Sequence, residues 1–471
     1  MKLIKNLTLL LLAVFVSSCE DFLSPEPISA VVADFYYTND QEIQAAVESL
    51  YDGLQGVNDT QSNSNHGTQV EYQLTEMRSD NTRTKASEGE PAQFESFSVE
   101  STNGVVFDYY RSVYNVIFRA NTVLANLENA SPEAIGKFEA EAKFVRAYSY
   151  FNLVRLWGPV PLIDQLVALD DYETQFGRVD ASIVYNLIVS DLETAAANLD
   201  NSNTGRASKA AAQALLAKVH LTLGNYSEAR GLCESVMSAG FSLEDNFKDV
   251  FYNEGNDEVI FAIEYIGDDT RDSQNFSAEW LNAVGRSSGL NYVTDEAKAA
   301  LDLSGGDRTA YSYRIDLDQP SQNQVVKYIP NGDDSLGIEP TSGDPRLAGN
   351  DWIVLRYADV LLMHVEAIMA GGASTADPAA LESFQKVRDR AGLTDGVASI
   401  SKEELLNERR VELAFENQRW FDLLRFDIGY GILEHFAADN GYGFSATDLL
   451  LPFPQAEINL SGGLLEQNPG Y

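Results

Sequence analysis

The pattern of apolar and polar positions divides the chain into helical stretches interrupted by two long irregular ones. Residues 39–56 predict a helix capped at Thr38 or Asn39, with Ile43, Val47 and Leu50 on one face. Residues 57–104 are polar, rich in Asn, Ser, Thr and Gly, and carry few core signals. Helical patterning resumes at 105–128 and 132–156, where Gly158-Pro159 stops it. Residues 207–239 form a repeat-like unit: Ala214, Leu215, Ala217 and Leu221 pack one helix, and Gly224-Asn225-Tyr226 turns into the next. A looser copy spans 353–391, broken at Gly371-Gly372, and Trp352 is expected to open its first helix. Between these units lies a mixed region, 241–351, with one strand expected at 259–265. The expected fold is mostly α, built from tetratricopeptide-like helix pairs, with long loops and a small mixed region on one side. Its segments, 33–240, 241–351 and 352–471, are expected to form one compact domain.

The densest pattern lies near the C-terminal end. Leu406, Arg410, Leu413, Asn417, Trp420 and Leu424 follow one another at steps of three or four, which predicts one stripe of a long amphipathic helix over 402–426. Glu408, Glu412 and Glu416 run along the other side, with Arg409 and Arg419 close enough to pair with them. That arrangement predicts a solvated charged face. A sharper reading comes from Trp420, Phe421 and Phe426 among Arg419, Asp422 and Arg425, a mixture that suggests a buried polar network. Under either reading the stretch is structural.

Composition narrows the function. Lys and Arg total 33 against 71 Asp and Glu, a net charge of −38, so there is no basic footprint for nucleic acid. Twenty-two Tyr, 23 Phe and 4 Trp supply flat apolar faces on which sugar rings can pack, although most such residues are core. Residues 1–18 read as an export signal: Lys2 and Lys5, an apolar run over 7–16 that is too short to span a membrane, then small residues. Val16-Ser17-Ser18-Cys19 resembles a lipobox, which would make Cys19 the acylated first residue of the mature protein, with 19–32 as a Pro-spaced tether. With Cys19 acylated, Cys233 has no disulfide partner and reads as a small buried hydrophobe.

Several motifs fall short of catalysis. Gly285-Arg286-Ser287-Ser288-Gly289 matches a nucleophile elbow but lacks the strand that should precede it. Gly441-Tyr442-Gly443-Phe444-Ser445-Ala446 follows no strand and reads as a flexible loop. His66, His220, His364 and His435 lack zinc-ligand spacing. Residues 253–258 lack the pattern of a dedicated calcium loop and read as a surface turn. No cofactor or metal is expected.

The run Asn407-Glu408-Arg409-Arg410, then Glu416-Asn417-Gln418-Arg419-Trp420-Phe421-Asp422-Leu423-Leu424-Arg425, strongly resembles the C-terminal signature of the SusD/RagB family. Cys19-Glu20-Asp21-Phe22-Leu23, the helix ending Arg155-Leu156-Trp157-Gly158-Pro159, and the closing Gln467-Asn468-Pro469-Gly470-Tyr471 extend the resemblance over 19–471. It is weak in 58–104 and 266–351. The resemblance implies a non-catalytic, lipid-anchored protein of the outer-membrane surface, which captures oligosaccharide and delivers it to a TonB-dependent transporter of the SusC type. The residues themselves also leave open a surface glycan hydrolase and a purely structural adhesin. Ligand residues do not carry over, because the variable loops lack family motifs. Sugar recognition needs an aromatic face together with amide or guanidinium groups. Trp157, Trp352 and Trp420 have scaffold roles, so Trp280 is expected to be the platform, near Asn275, Phe276 and Tyr292. Tyr72, Asn81 and Arg83 in the other variable stretch are second choices.

Overall fold

The computed structural model describes residues 37–56, 67–202, 205–282, 284, 289–316 and 319–471. Its first helix, α1 (Asp40–Gln55), is capped by Asn39, whose side chain accepts the N–H groups of Gln41 and Glu42. Ile43, Val47 and Leu50 turn inward from it, as their spacing requires. Helices α2 (Gly104–Ala125) and α3 (Pro132–Trp157) follow. Pro132 opens α3 without losing a bond, and Gly158, at φ +73°, ends it in a conformation open to glycine. From Ala140 onward nearly every side chain of α3 is buried, because α2 packs on one side and α4 (Ala181–Asn198) on another.

The tetratricopeptide-like unit consists of α5 (Lys209–Thr222) and α6 (Tyr226–Met237), with Gly224 at φ +74° in the turn between them. Helix α7 (Asp295–Ser304) belongs to the mixed region. The second pair is α8 (Tyr357–Met369) and α9 (Pro378–Arg390), followed by α10 (Lys402–Glu412), α11 (Arg419–Arg425) and α12 (Gly429–Asn440). Helices α1 to α6 pack each on the next, and α6 then packs on α8, joining the two helix pairs. The fold is thus mostly α, as the patterning predicts.

Of the four antiparallel sheets among the described residues, two bear on the variable stretches. One is formed by β1 (Thr82–Arg83), β3 (Tyr292–Val293), β5 (Asn323–Val325) and β4 (Tyr313–Ile315), in that order. The other pairs β2 (Val259–Ile263) with β6 (Trp352–Arg356), with register shifts between Val259 and Ala262. Residues 259–263 thereby realise the expected strand. Trp352, however, starts a strand rather than a helix. The β-branched and aromatic run Trp352-Ile353-Val354 suits a pleated surface, and helix α8 begins only at Tyr357.

The C-terminal stretch departs further from expectation. The helix expected over 402–426 is broken between α10 and α11, where Phe415 and Asn417 take left-handed φ values of 65° and 57°. The turn seats Phe415 against Trp280 and lets Asn417 donate to Glu71 Oε1 at 3.2 Å and accept from Thr75 Oγ at 2.9 Å. Nor is the acidic face solvated. Glu412 is fully buried and Glu408 and Glu416 nearly so. Arg356 donates to Glu416 Oε2 at 2.7 Å, to Glu412 Oε1 at 2.6 Å and to Glu258 Oε1 at 2.8 Å. Lys327 reaches Glu416 at 2.5 Å, and Arg308 bridges Glu408 and Glu412. Burial opposes charge on Glu412, but Arg390, Arg356 and Arg308 outweigh it and hold the carboxyl well below the usual range. The buried-network reading of this stretch is the one the fold adopts, with Arg308 and Lys327 supplied by the mixed region and Arg356 and Arg390 by β6 and α9.

Candidate functional site

The two variable stretches meet. Strand β1 pairs with β3, placing Thr82 opposite Val293 and Arg83 opposite Tyr292. The Tyr72 ring lies 5.1 Å from that of Trp280. Residues selected separately from 72–83 and 275–292 therefore belong to one neighbourhood. Most of them point into its core.

The expectation that Trp280 is an exposed platform is corrected by its burial. Its relative exposure is 1%, and Tyr72, Tyr328 and Phe415 surround the indole. A large aromatic amid polar sequence neighbours is here a core plug, because its apolar contacts arrive from three distant segments. Phe276 is likewise buried, edge-on to Tyr328 and Trp352 at 5.6 and 5.3 Å. Asn275 is half-buried, its N–H bound to Gln69 Oε1 at 3.3 Å. Asn81 is buried and accepts from Arg410 Nε at 2.8 Å, a scaffold contact. Tyr72, too, is core.

Arg83 and Tyr292 stand apart from this core. Both are half-exposed, with the Arg83 guanidinium 5.5 Å from the Tyr292 ring centroid. Beneath them Glu95 accepts the Thr84 N–H at 2.7 Å and the Tyr442 hydroxyl, and its Oε1 lies 3.8 Å from Arg83 Nε. Burial, with Glu95 beside it, pushes the Tyr442 hydroxyl well above its ordinary value, so it remains a neutral donor. Phe444, two residues on, packs between Phe97 and the part-exposed Tyr430, at 4.8 and 5.2 Å. The result is a surface of aromatic faces edged by a guanidinium, which suits the C–H side and the hydroxyls of a sugar ring. Tyr442 and Phe444 escaped the sequence analysis because their glycine-rich setting reads only as a loop. The signal present was two aromatics spaced by glycine, placed just past the left-handed cap Gly441 of α12.

Other sequence motifs resolve plainly. Residues 285–288 of the elbow-like motif, His66 and Cys19 lie outside the described residues. The Gly441–Ala446 run follows a helix. His364 is buried, with Nδ1 at 2.9 Å from Ser383 Oγ. Among the described residues no group of three His, Cys, Asp or Glu is arranged to hold a metal, and no helix is long and apolar enough to cross a membrane.

Comparison with known proteins places this geometry. Residues 335–471 match the model described as SusD family, and residues 21–221 match that described as starch-binding associating with outer membrane. The SusD-like protein P2 of Formosa agariphila is 26% identical over 99% of both chains. The starch-binding protein SusD of Bacteroides thetaiotaomicron is 22% identical, covering 77% of this chain and 78% of its own. A solved laminarin-binding SusD-like protein superposes with a TM-score of 0.76 at 27% identity, covering 92% of this chain and all of that one. The signature in 402–426, the helical scaffold around it and these likenesses together establish that the chain belongs to the SusD/RagB family.

Proposed function

We propose that the protein captures oligo- or polysaccharide at the cell surface and hands it to a TonB-dependent transporter in the outer membrane, without cleaving it. The observation that carries the reading is the end-to-end likeness to a laminarin-binding protein of the same fold. The starch-binding relative and the family description that names the outer membrane point the same way. Acylation at Cys19 would hold the chain to the membrane ahead of the helical body. The surface of Arg83, Tyr292 and Tyr442 is the proposed contact for the glycan. Its rings would stack on sugar faces while the guanidinium donates to hydroxyls.

The test is affinity electrophoresis of the mature protein through gels containing laminarin, starch or xylan, with a reducing-sugar assay on the same samples. Retardation without release of reducing ends is expected. Release of reducing ends would make the protein a hydrolase. Co-purification of an outer-membrane barrel with the lipidated protein tests the transporter partnership.

A further inference from the structure

Among the described residues, five large apolar side chains that face water gather on one flank of α2. Leu169 is 91% exposed, Leu460 64% and Phe118 59%, and Leu166 and Tyr172 are exposed as well. Local contacts bring them together. Arg111, Tyr114, Asn115 and Phe118 stand at positions i, i+3, i+4 and i+7 of α2, which is one helix face. The first three line a groove of about 450 Å³ with Gln175, Phe176 and Leu460, and none of these belongs to the Arg83–Tyr292 surface. Asn121, three residues past Phe118, donates to the carbonyls of Ile163 at 2.8 Å and Gln165 at 3.3 Å, which brings Leu166 to the same flank. Gln175 donates to the Ala168 carbonyl at 2.7 Å and so holds the neighbouring Leu169 at the edge of the groove. The Tyr172 ring stacks on Phe176 at 6.2 Å. Apolar side chains held next to one another in water mark an interaction surface.

The surrounding charge narrows what can cover this patch. Asp164, Asp170, Asp171 and Glu173 are all exposed beside Leu166, Leu169 and Tyr172. A second copy of the chain would set these acids against their own counterparts, and an anionic lipid surface would repel them too. A protein whose apolar contact is edged by Lys or Arg meets both the patch and its rim. Position favours a partner held in the same membrane. The segment that carries Cys19 enters the fold at the N-terminal end of α1. There Asp40 accepts the Ser131 N–H at 2.6 Å, just past the C-terminal end of α2. Phe118 lies in the C-terminal half of α2, about 10 Å along the helix from its last residue, Ala125.

We propose that this flank of α2 is the face that docks on the extracellular side of the barrel transporter. Phe118, Leu166, Leu169 and Tyr172 seat on an apolar partner surface, and the acids around them pair with basic residues at its edge. This proposal rests on the transporter reading and adds the contact face to it. The groove gives a partner side chain a place to enter, between the Tyr114 and Phe176 rings and beside the exposed Arg111.

Tagged full-length lipoprotein, extracted in detergent from the membranes of its own cells, tests the contact, with the recovered barrel identified and quantified by mass spectrometry. Phe118→Glu and Leu169→Glu should each lower that recovery about tenfold, because each puts a charge into the apolar patch. Both positions are exposed, so the melting temperature should hold, and retardation by polysaccharide should persist. A second measurement labels Leu169→Cys with a benzophenone maleimide. Cys233 is buried, so the label goes to position 169, and irradiation of the membranes should join the protein to the barrel. The docking face is overturned if the folded variants recover as much barrel as the parent, or if the label reaches only lipid or a second copy. It is also overturned if the variants keep the barrel and lose polysaccharide retardation, which would make the groove a glycan contact. In each of these cases barrel recovered with the parent leaves the transporter reading standing. If the parent recovers none, both fall.

Discussion

Arg419 grips Asp80 across 339 residues of sequence, donating from Nε to Oδ1 at 2.7 Å and from Nη2 to Oδ2 at 2.8 Å. Arg410 adds a bond to the Asp80 backbone carbonyl at 2.7 Å. Through this bidentate clamp the C-terminal signature holds the polar 67–104 segment in place. Burial works against charge on Asp80, but Arg410 and Arg419 outweigh it and hold the carboxyl well below the usual range. Asp80→Asn should therefore cost about 3–5 kcal/mol, because two buried guanidiniums lose their counter-charge. A depressed carboxyl stabilises the fold above its unfolded pKa, so the parent should lose this contribution as pH falls below about 4. Thermal melts from pH 3 to 7 check both statements, and the variant should lack that component of the acid-side decline.

Glu76 has the opposite electrostatic environment. Burial pushes its carboxyl up to about 8, with the Asn417 N–H and Asn81 only partly offsetting the effect. The native state thus keeps a proton that the unfolded chain releases near pH 4 to 5. Stability from this group falls as pH rises from there through 8. Glu76→Gln should match the parent near pH 5 and melt higher than it at pH 9. Equal melting temperatures at pH 9 would show that the carboxyl ionises freely.

Trp280 fills the space between Tyr72, Tyr328 and Phe415. Trp280→Ala should lower unfolding free energy by about 3–5 kcal/mol, the range for large aromatic deletions in cores. Chemical denaturation measures it, and a change under about 1 kcal/mol would mean the site collapses without leaving a cavity.

Tyr292→Ala makes the complementary case. Its ring is half-exposed, so the melting temperature should hold, whereas glycan affinity should drop by about 2 kcal/mol, roughly thirtyfold in Kd. Calorimetry with the polysaccharide that retards the parent decides this, and undiminished affinity would move the contact elsewhere.

Cys19 carries the anchoring prediction. Mass spectrometry of the mature protein should find an acylated Cys19 at its N-terminus. Cys19→Ser should carry no lipid and partition away from membranes.

The helices were legible because a helix writes its buried face into local spacing. Ile43-Val47-Leu50, the Asn39 cap and the Gly224 turn all act within a few residues, so 40–55, 209–222 and 226–237 appear where their patterns place them. The 402–426 signature was equally visible as a mixture of aromatics and charge. Whether its acids faced water or protein was not, because that depended on Arg308 and Lys327 from the mixed region and on Arg356 at the end of β6, which reach Glu408, Glu412 and Glu416. The same holds for the candidate site. Trp280 and Tyr292 lie twelve residues apart in one polar stretch and look alike as aromatics. Tertiary packing alone sends the first into the core and leaves the second beside Arg83, since burial depends on contacts between distant segments, which local spacing does not encode.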